Sequence, residues 1–176
     1  MTTKLKIGLC GYGGLGHVHA ADLAAMADVE LVAVCDKRPE QLAAPEVAIN
    51  LNTGAAAFDI RACRTYTDFA TMLRRESLDA LVTALPTDLH APTAIAALRR
   101  GIHVFCEKPM ALTTRQCDAM IRARDRAGVQ LMIGQCLRFF PEYEALREAV
   151  QRQTYGRLLS LTLTRIGGYC TWGSEN

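Results

Sequence analysis

Short apolar runs separated by longer helix-patterned stretches leave this chain few folds to choose from. Lys6–Cys10, Leu31–Cys35, Ala80–Leu85, His103–Cys106 and Gln130–Ile133 are apolar with little alternation, as expected of parallel strands covered on both faces. Between them the spacing predicts helices near Leu15–Met26, Asp68–Arg75, Leu89–Arg100 and Thr114–Ala127. Thr67 and Thr113 read as helix caps, and Gly101 and Gly128 fall just past two helix ends. Strand–helix alternation of this kind predicts an α/β fold, a doubly wound parallel sheet with right-handed crossovers. The stretch Gln41–Arg64 is weaker and reads as a loop-bearing insertion: a helix into Ala43-Ala44-Pro45, a turn over Asn50–Gly54, and a third strand near Cys63–Tyr66.

The pattern changes after Gly156. Leu159, Leu161 and Leu163 alternate with Ser160, Thr162 and Thr164, the period of a half-buried antiparallel strand. One such strand cannot bury its apolar face alone. Residues 1–136 are therefore expected to form one domain, and residues 137–176 the beginning of a second α/β domain that is cut short. The alternative is a short edge strand that completes the first sheet.

Composition removes several classes of function. Lys plus Arg number 20 against 18 Asp plus Glu, a net charge of +2 that leaves no electrostatic footprint for nucleic acid or an anionic membrane. No apolar stretch approaches a membrane span and the N-terminus lacks a signal-peptide pattern, so a cytoplasmic protein is expected. The 7 cysteines are odd in number and have no C-x-x-C spacing. Reduced thiols packed into a core are favoured over a zinc site.

The first apolar run leads into Gly11-Tyr12-Gly13-Gly14-Leu15-Gly16 and then a helix, the strand–turn–helix context that gives a G-x-G-x-x-G its mechanism. Gly11 permits the tight turn, Gly13 admits close backbone approach to a pyrophosphate, and Gly16 allows close packing. The helix N-terminus then offers free N–H groups to phosphates. Asp36 follows the second strand at the position from which a carboxylate accepts hydrogen bonds from ribose hydroxyls. This favours NAD, although Lys37 and Arg38 could meet the 2′-phosphate of NADP. The fold is thus expected to be Rossmann-type. His17 and His19 stand two apart, off a common helix face, so a packed or solvent-facing role is expected rather than metal binding.

Two later strand ends carry chemistry. Leu85-Pro86-Thr87-Asp88-Leu89-His90 follows one and Cys106-Glu107-Lys108-Pro109 the next. Ligands in open α/β sheets bind at such ends. An ammonium there, partly desolvated beside a cofactor, can exchange protons near neutrality, because burial lowers a lysine's pKa.

Taken together these segments resemble the glucose–fructose oxidoreductase, inositol dehydrogenase and rhizopine-catabolism (GFO/IDH/MocA) family. The resemblance rests on Ile7–Gly16 with His19, Cys35-Asp36, Leu85–His90, Glu107-Lys108-Pro109 and Arg138-Phe139, and it runs from Lys4 to about Arg165. It implies a nicotinamide-dependent oxidoreductase moving hydride between NAD, or NADP, and a hydroxyl or carbonyl carbon of a sugar or cyclitol. It makes Lys108 the proton-transfer residue, shaped by Glu107 and Pro109 with a cis Lys-Pro peptide. Leu85, Pro86, Thr87 and His90 would line the nicotinamide end, and Arg138 would lie at the domain junction. A homo-oligomer is implied at full length. The family's second half supplies an acidic residue and a histidine that cannot be located here, so cofactor binding without efficient turnover is expected of this chain. The rivals are a non-catalytic regulator sensing dinucleotide or sugar, and an imine or aldehyde reductase sharing the glycine fingerprint.

Overall fold

The computed structural model describes residues 3–43, 57–164 and 166. The expected turn over Asn50–Gly54, the tail from Gly167, and Cys170 lie outside the described residues. The first crossover unit is β1 (Leu5–Cys10), α1 (Gly14–Ala25) and β2 (Val29–Cys35). A short α2 (Pro39–Ala43) and a 3-10 turn (Ile60–Ala62) precede β3 (Arg64–Tyr66) and α3 (Phe69–Arg75). The second half runs β4 (Ala80–Thr83), α4 (Thr87–Leu98), β5 (His103–Cys106), α5 (Thr114–Ala127) and β6 (Leu131–Ile133). All strand pairs are parallel and their order is β3-β2-β1-β4-β5-β6. The winding direction therefore reverses between β1 and β4, the crevice where such sheets bind ligands.

Alternation across the strands explains why the runs are apolar throughout. Ile7, Leu9, Leu31, Val34 and Val82 pack with Tyr12 and Ala20 on the side covered by α1. Cys10, Ala33, Leu81, Val104 and Cys106 pack with Ala94, Leu98 and Met120 on the side covered by α4 and α5. Each fully buried Leu or Met there contributes about 1.5–3 kcal/mol relative to exposure. Alanines at 91, 94 and 97 let α4 sit close to the sheet.

Local signals set most helix limits, with some corrections. Thr113 and Gln116 form a capping box on α5, and Gly128 closes it at φ 67°. The cap of α3 is Asp68, not Thr67: its carboxylate accepts from the Thr71 N–H. A carboxylate outperforms a hydroxyl one residue earlier because it stands in register with the free N–H groups. Strand β4 stops at Thr83, short of Leu85, and α4 begins at Thr87, with Pro86 as its N-cap. Here the proline's fixed φ starts the helix two residues before the apolar pattern does.

The chain divides into two compact units, Met1–Gln135 and Cys136–Asn176. The second holds a 3-10 turn (Cys136–Phe139) and α6 (Pro141–Gln151), which the apolar pattern alone did not reveal. Its start signal was Pro141 at the first helical position with Glu142 and Glu144 in the first turn. Residues 157–164 form no strand, despite their alternation, and are exposed. Among the described residues no neighbouring strand pairs their backbone groups, and Leu159, Leu161 and Leu163 of the expected inner face stay 52–82% exposed.

Candidate active site at the carboxyl edge of the sheet

One row of residues runs across the sheet: Tyr66, Cys35, Cys10, Thr83, Cys106 and Ile133 are successive register partners. Whatever follows them in sequence emerges at the same edge. Backbone bonds extend the alignment one residue further: Gly11 N–H donates to the Cys35 carbonyl at 2.8 Å, Ala84 N–H to Cys10 at 2.8 Å, Glu107 N–H to Thr83 at 3.1 Å and Gly134 N–H to Cys106 at 2.8 Å. The glycine turn, Asp36, the 85–90 segment and Glu107-Lys108-Pro109 thus share one rim.

The glycines answer to steric demand. Gly11 has φ +93°, and a Cβ there would lie 2.3 Å from the Ala84 carbonyl oxygen. A Cβ on Gly16 would lie 2.2 Å from the Gly11 carbonyl oxygen, so this glycine packs the helix on the turn itself. Gly13, the N-cap of α1, has nothing within 4 Å of its Cβ position and no side-chain cap. Gly14, Leu15 and the next amides begin the helix with free N–H groups beside open space, the fit a pyrophosphate requires. Tyr12 contributes its backbone alone, because its ring is buried in the core and stacks on His17 with centroids 4.0 Å apart. Gly11→Ala is expected to cost about 2 kcal/mol or more of unfolding free energy, through left-handed strain plus a backbone clash. Urea denaturation of the two chains measures it.

Asp36 is 6% exposed. Its Oδ2 accepts the Tyr12 N–H at 2.8 Å, and its Oδ1 accepts the Arg38 N–H at 2.9 Å with the Arg38 Nε at 3.7 Å. The carboxylate is thereby tied to the glycine turn and keeps lone pairs for further donors. Lys37 and the rest of Arg38 are exposed.

At the β5 end, the Lys108–Pro109 peptide is cis. Glu107 is buried, accepting from His19 Nε2 at 3.0 Å through Oε1 and from the Lys108 N–H at 3.1 Å through Oε2. Burial pushes the Glu107 carboxyl up, but the His19 hydrogen bond and the neighbouring Lys108 outweigh it and hold the group below its usual range. Lys108 itself is exposed. Its ammonium makes no hydrogen bond or ion pair with the described residues.

His90, on α4, is 1% exposed. Its Nδ1 lies 2.7 Å from the Pro109 carbonyl oxygen and its Nε2 2.8 Å from the Leu85 carbonyl oxygen. The ring bridges the two segments that follow β4 and β5, while Pro86 and Lys108 remain exposed on the rim and Thr87 is half-buried.

Arg138 belongs to the second unit, on the turn Cys136–Phe139, and is exposed. Cys10, Cys35 and Cys106 are buried behind the rim, Cys63 and Cys117 are half-buried, and Cys136 is exposed. The expectation of core thiols thus fails at Cys136. The site residue whose role sequence reasoning missed is His19: its partner stands 88 residues away, beyond any local pattern.

Residues 5–135 match the model of the GFO/IDH/MocA family, described as an oxidoreductase family with an NAD-binding Rossmann fold. The chain is 29% identical over 160 residues to myo-inositol 2-dehydrogenase of Thermotoga maritima, covering 91% of this chain and 45% of that protein. It is 32% identical over 160 residues to an inositol 2-dehydrogenase of Rhizobium meliloti, covering 91% and 44%. The WlbA dehydrogenase of Bordetella pertussis, solved with NADH and UDP-GlcNAcA, is 32% identical with a TM-score of 0.72 over 88% of this chain and 44% of that one. The chain therefore spans a little under half the length of the curated relatives it matches.

Proposed function

We propose, because this chain belongs to the GFO/IDH/MocA oxidoreductase family, that it holds NAD(H) at the carboxyl edge of its sheet and serves there in hydride transfer to or from a sugar or cyclitol carbon. The observation that carries the reading is the single register row that brings the glycine turn, Asp36 and Glu107-Lys108-Pro109 to one rim. When bound, the nicotinamide supplies the hydride donor or acceptor. The chain's own residues do the rest. The N–H groups at the start of α1 bind phosphate, and Gly13 leaves the room for its approach. Asp36 accepts ribose hydroxyls through the lone pairs that Tyr12 and Arg38 leave free. Lys108 exchanges the proton of the reacting hydroxyl, with an ammonium that no ion pair among the described residues engages. His90 and Glu107 hold the segments on either side of it.

The remainder of the reading extends past this chain. Residues 137–176 begin a substrate and oligomerisation domain, with Arg138 on its first turn, and the protein is a cytoplasmic homo-oligomer at full length.

A fluorescence titration of the chain with NADH and NADPH tests the cofactor site. Saturable binding with NADH preferred is expected. Asp36→Ala should weaken NADH by about 10–100-fold, the loss of charged hydrogen bonds worth about 1.5–3 kcal/mol, and weaken NADPH less. Equal loss for both cofactors would remove Asp36 from ribose selection, and absence of binding by the unaltered chain would sink the reading.

A further inference from the structure

We infer that His19 is a positioning residue for Lys108, acting through the Glu107 carboxylate. The inference rests on the reading of Lys108 as the proton-transfer group. His19 lies on α1 and Glu107 directly after β5, with β4 between β1 and β5 in the sheet. The helix whose N-terminus forms the phosphate cradle therefore reaches across to the lysine segment.

The carboxylate is held on three sides. His19 Nε2 takes Oε1 at 3.0 Å, with side chains 18% and 12% exposed. The Lys108 N–H takes Oε2 at 3.1 Å. Beyond β6, a Cβ on Gly134 would lie 3.1 Å from Oε1, so the backbone there closes the remaining side. Phe105 meets the His19 ring edge-on, centroids 5.6 Å apart, and fixes its plane. The titratable groups facing Glu107 are His19 from α1 and Lys108 beside it; β6 presents only the glycine that follows it.

This arrangement solves a problem of adjacency. An ionised carboxylate one residue from an ammonium tends to capture it as an ion pair, and a captured ammonium is a poor proton-exchange group. With one oxygen on His19 and the other on its own chain's amide, Glu107 is kept from that capture, and no ion pair between Glu107 and Lys108 forms among the described residues. His19 holds the carboxylate through its Nε2, so an amide N–H at the same place should replace it.

The test compares the chain with its His19→Ala and His19→Gln variants. Lys108 is acetylated with limiting acetic anhydride at pH 8, its rate read by mass spectrometry against Lys4 and Lys6 as internal references. In His19→Ala the relative Lys108 rate is expected to fall about threefold, the worth of a partly exposed ion pair. His19→Gln should restore the rate. A brace with no bearing on Lys108 would lower the melting temperature in either variant and leave the relative acetylation rate unchanged. That result, or a His19→Gln that behaves like His19→Ala, overturns the inference. Failure of the unaltered chain to bind NADH sinks the functional reading separately, and the lysine rates still decide the role of His19.

Discussion

Lys108→Ala is expected to lower turnover by about 10²–10⁴-fold, the range for removal of a general acid or base, while NADH binding changes by less than about twofold. The separation follows from where the groups sit. The residues proposed to hold phosphate and ribose, Gly13 with the start of α1 and Asp36, follow β1 and β2, whereas Lys108 follows β5 on the far side of the switch point. Lys108→Arg separates charge from proton exchange: a guanidinium keeps the positive charge but gives up no proton near neutrality. Lys108→Arg should therefore be nearly as slow as Lys108→Ala. Steady-state rates with a panel of inositols and sugars, in a protein extended to the length of its relatives, supply the measurement. NADH titration of each variant supplies the control. Turnover retained in Lys108→Arg would reduce the lysine to an electrostatic role, and turnover retained in Lys108→Ala would remove it from the chemistry.

What could be read in advance was what local chemistry determines. The glycine turn was legible because Gly11 and Gly16 are each required by backbone within a few ångström of the missing Cβ. Asp36 was legible because strand end and turn are separated by a fixed crossover length. The capping box at Thr113 and the left-handed Gly128 were written in adjacent residues. Other features depend on tertiary neighbours. The alternation at 157–164 called for a strand, but alternation specifies which face is apolar and not which chain will pair with it. The start of α4 came from Pro86 fixing φ, where the apolar pattern pointed two residues later. The reach of His19 to Glu107, and of His90 to two carbonyl oxygens, follows from strand order, and strand order brings β1 beside β4.

That same strand order produces the second large expected effect, at His90. A carbonyl oxygen cannot donate, and a neutral imidazole has one N–H. With Nδ1 2.7 Å from the Pro109 oxygen and Nε2 2.8 Å from the Leu85 oxygen, a neutral ring would face one oxygen with a bare lone pair. Two donors are needed, so the buried ring is held as imidazolium. Burial pushes its pKa down, but the Cys106 side chain and the Pro109 and Leu85 carbonyls outweigh burial and hold it up to about 9, from a usual 6.5. Because the folded value lies above the unfolded one, the stabilisation is fully present below about pH 6.5 and is lost as pH rises through about 9. The shift corresponds to roughly 3 kcal/mol. His90→Ala at pH 6 should cost about that much, since it leaves two partly buried carbonyl oxygens without their donors. Urea unfolding at pH 6, 7.5 and 9.5 then separates the cases: the unaltered chain should lose stability across the series, and most of that loss should vanish in His90→Ala. A pH slope equal in both chains would mean that the ring is neutral and that one of the two carbonyl contacts is not a hydrogen bond.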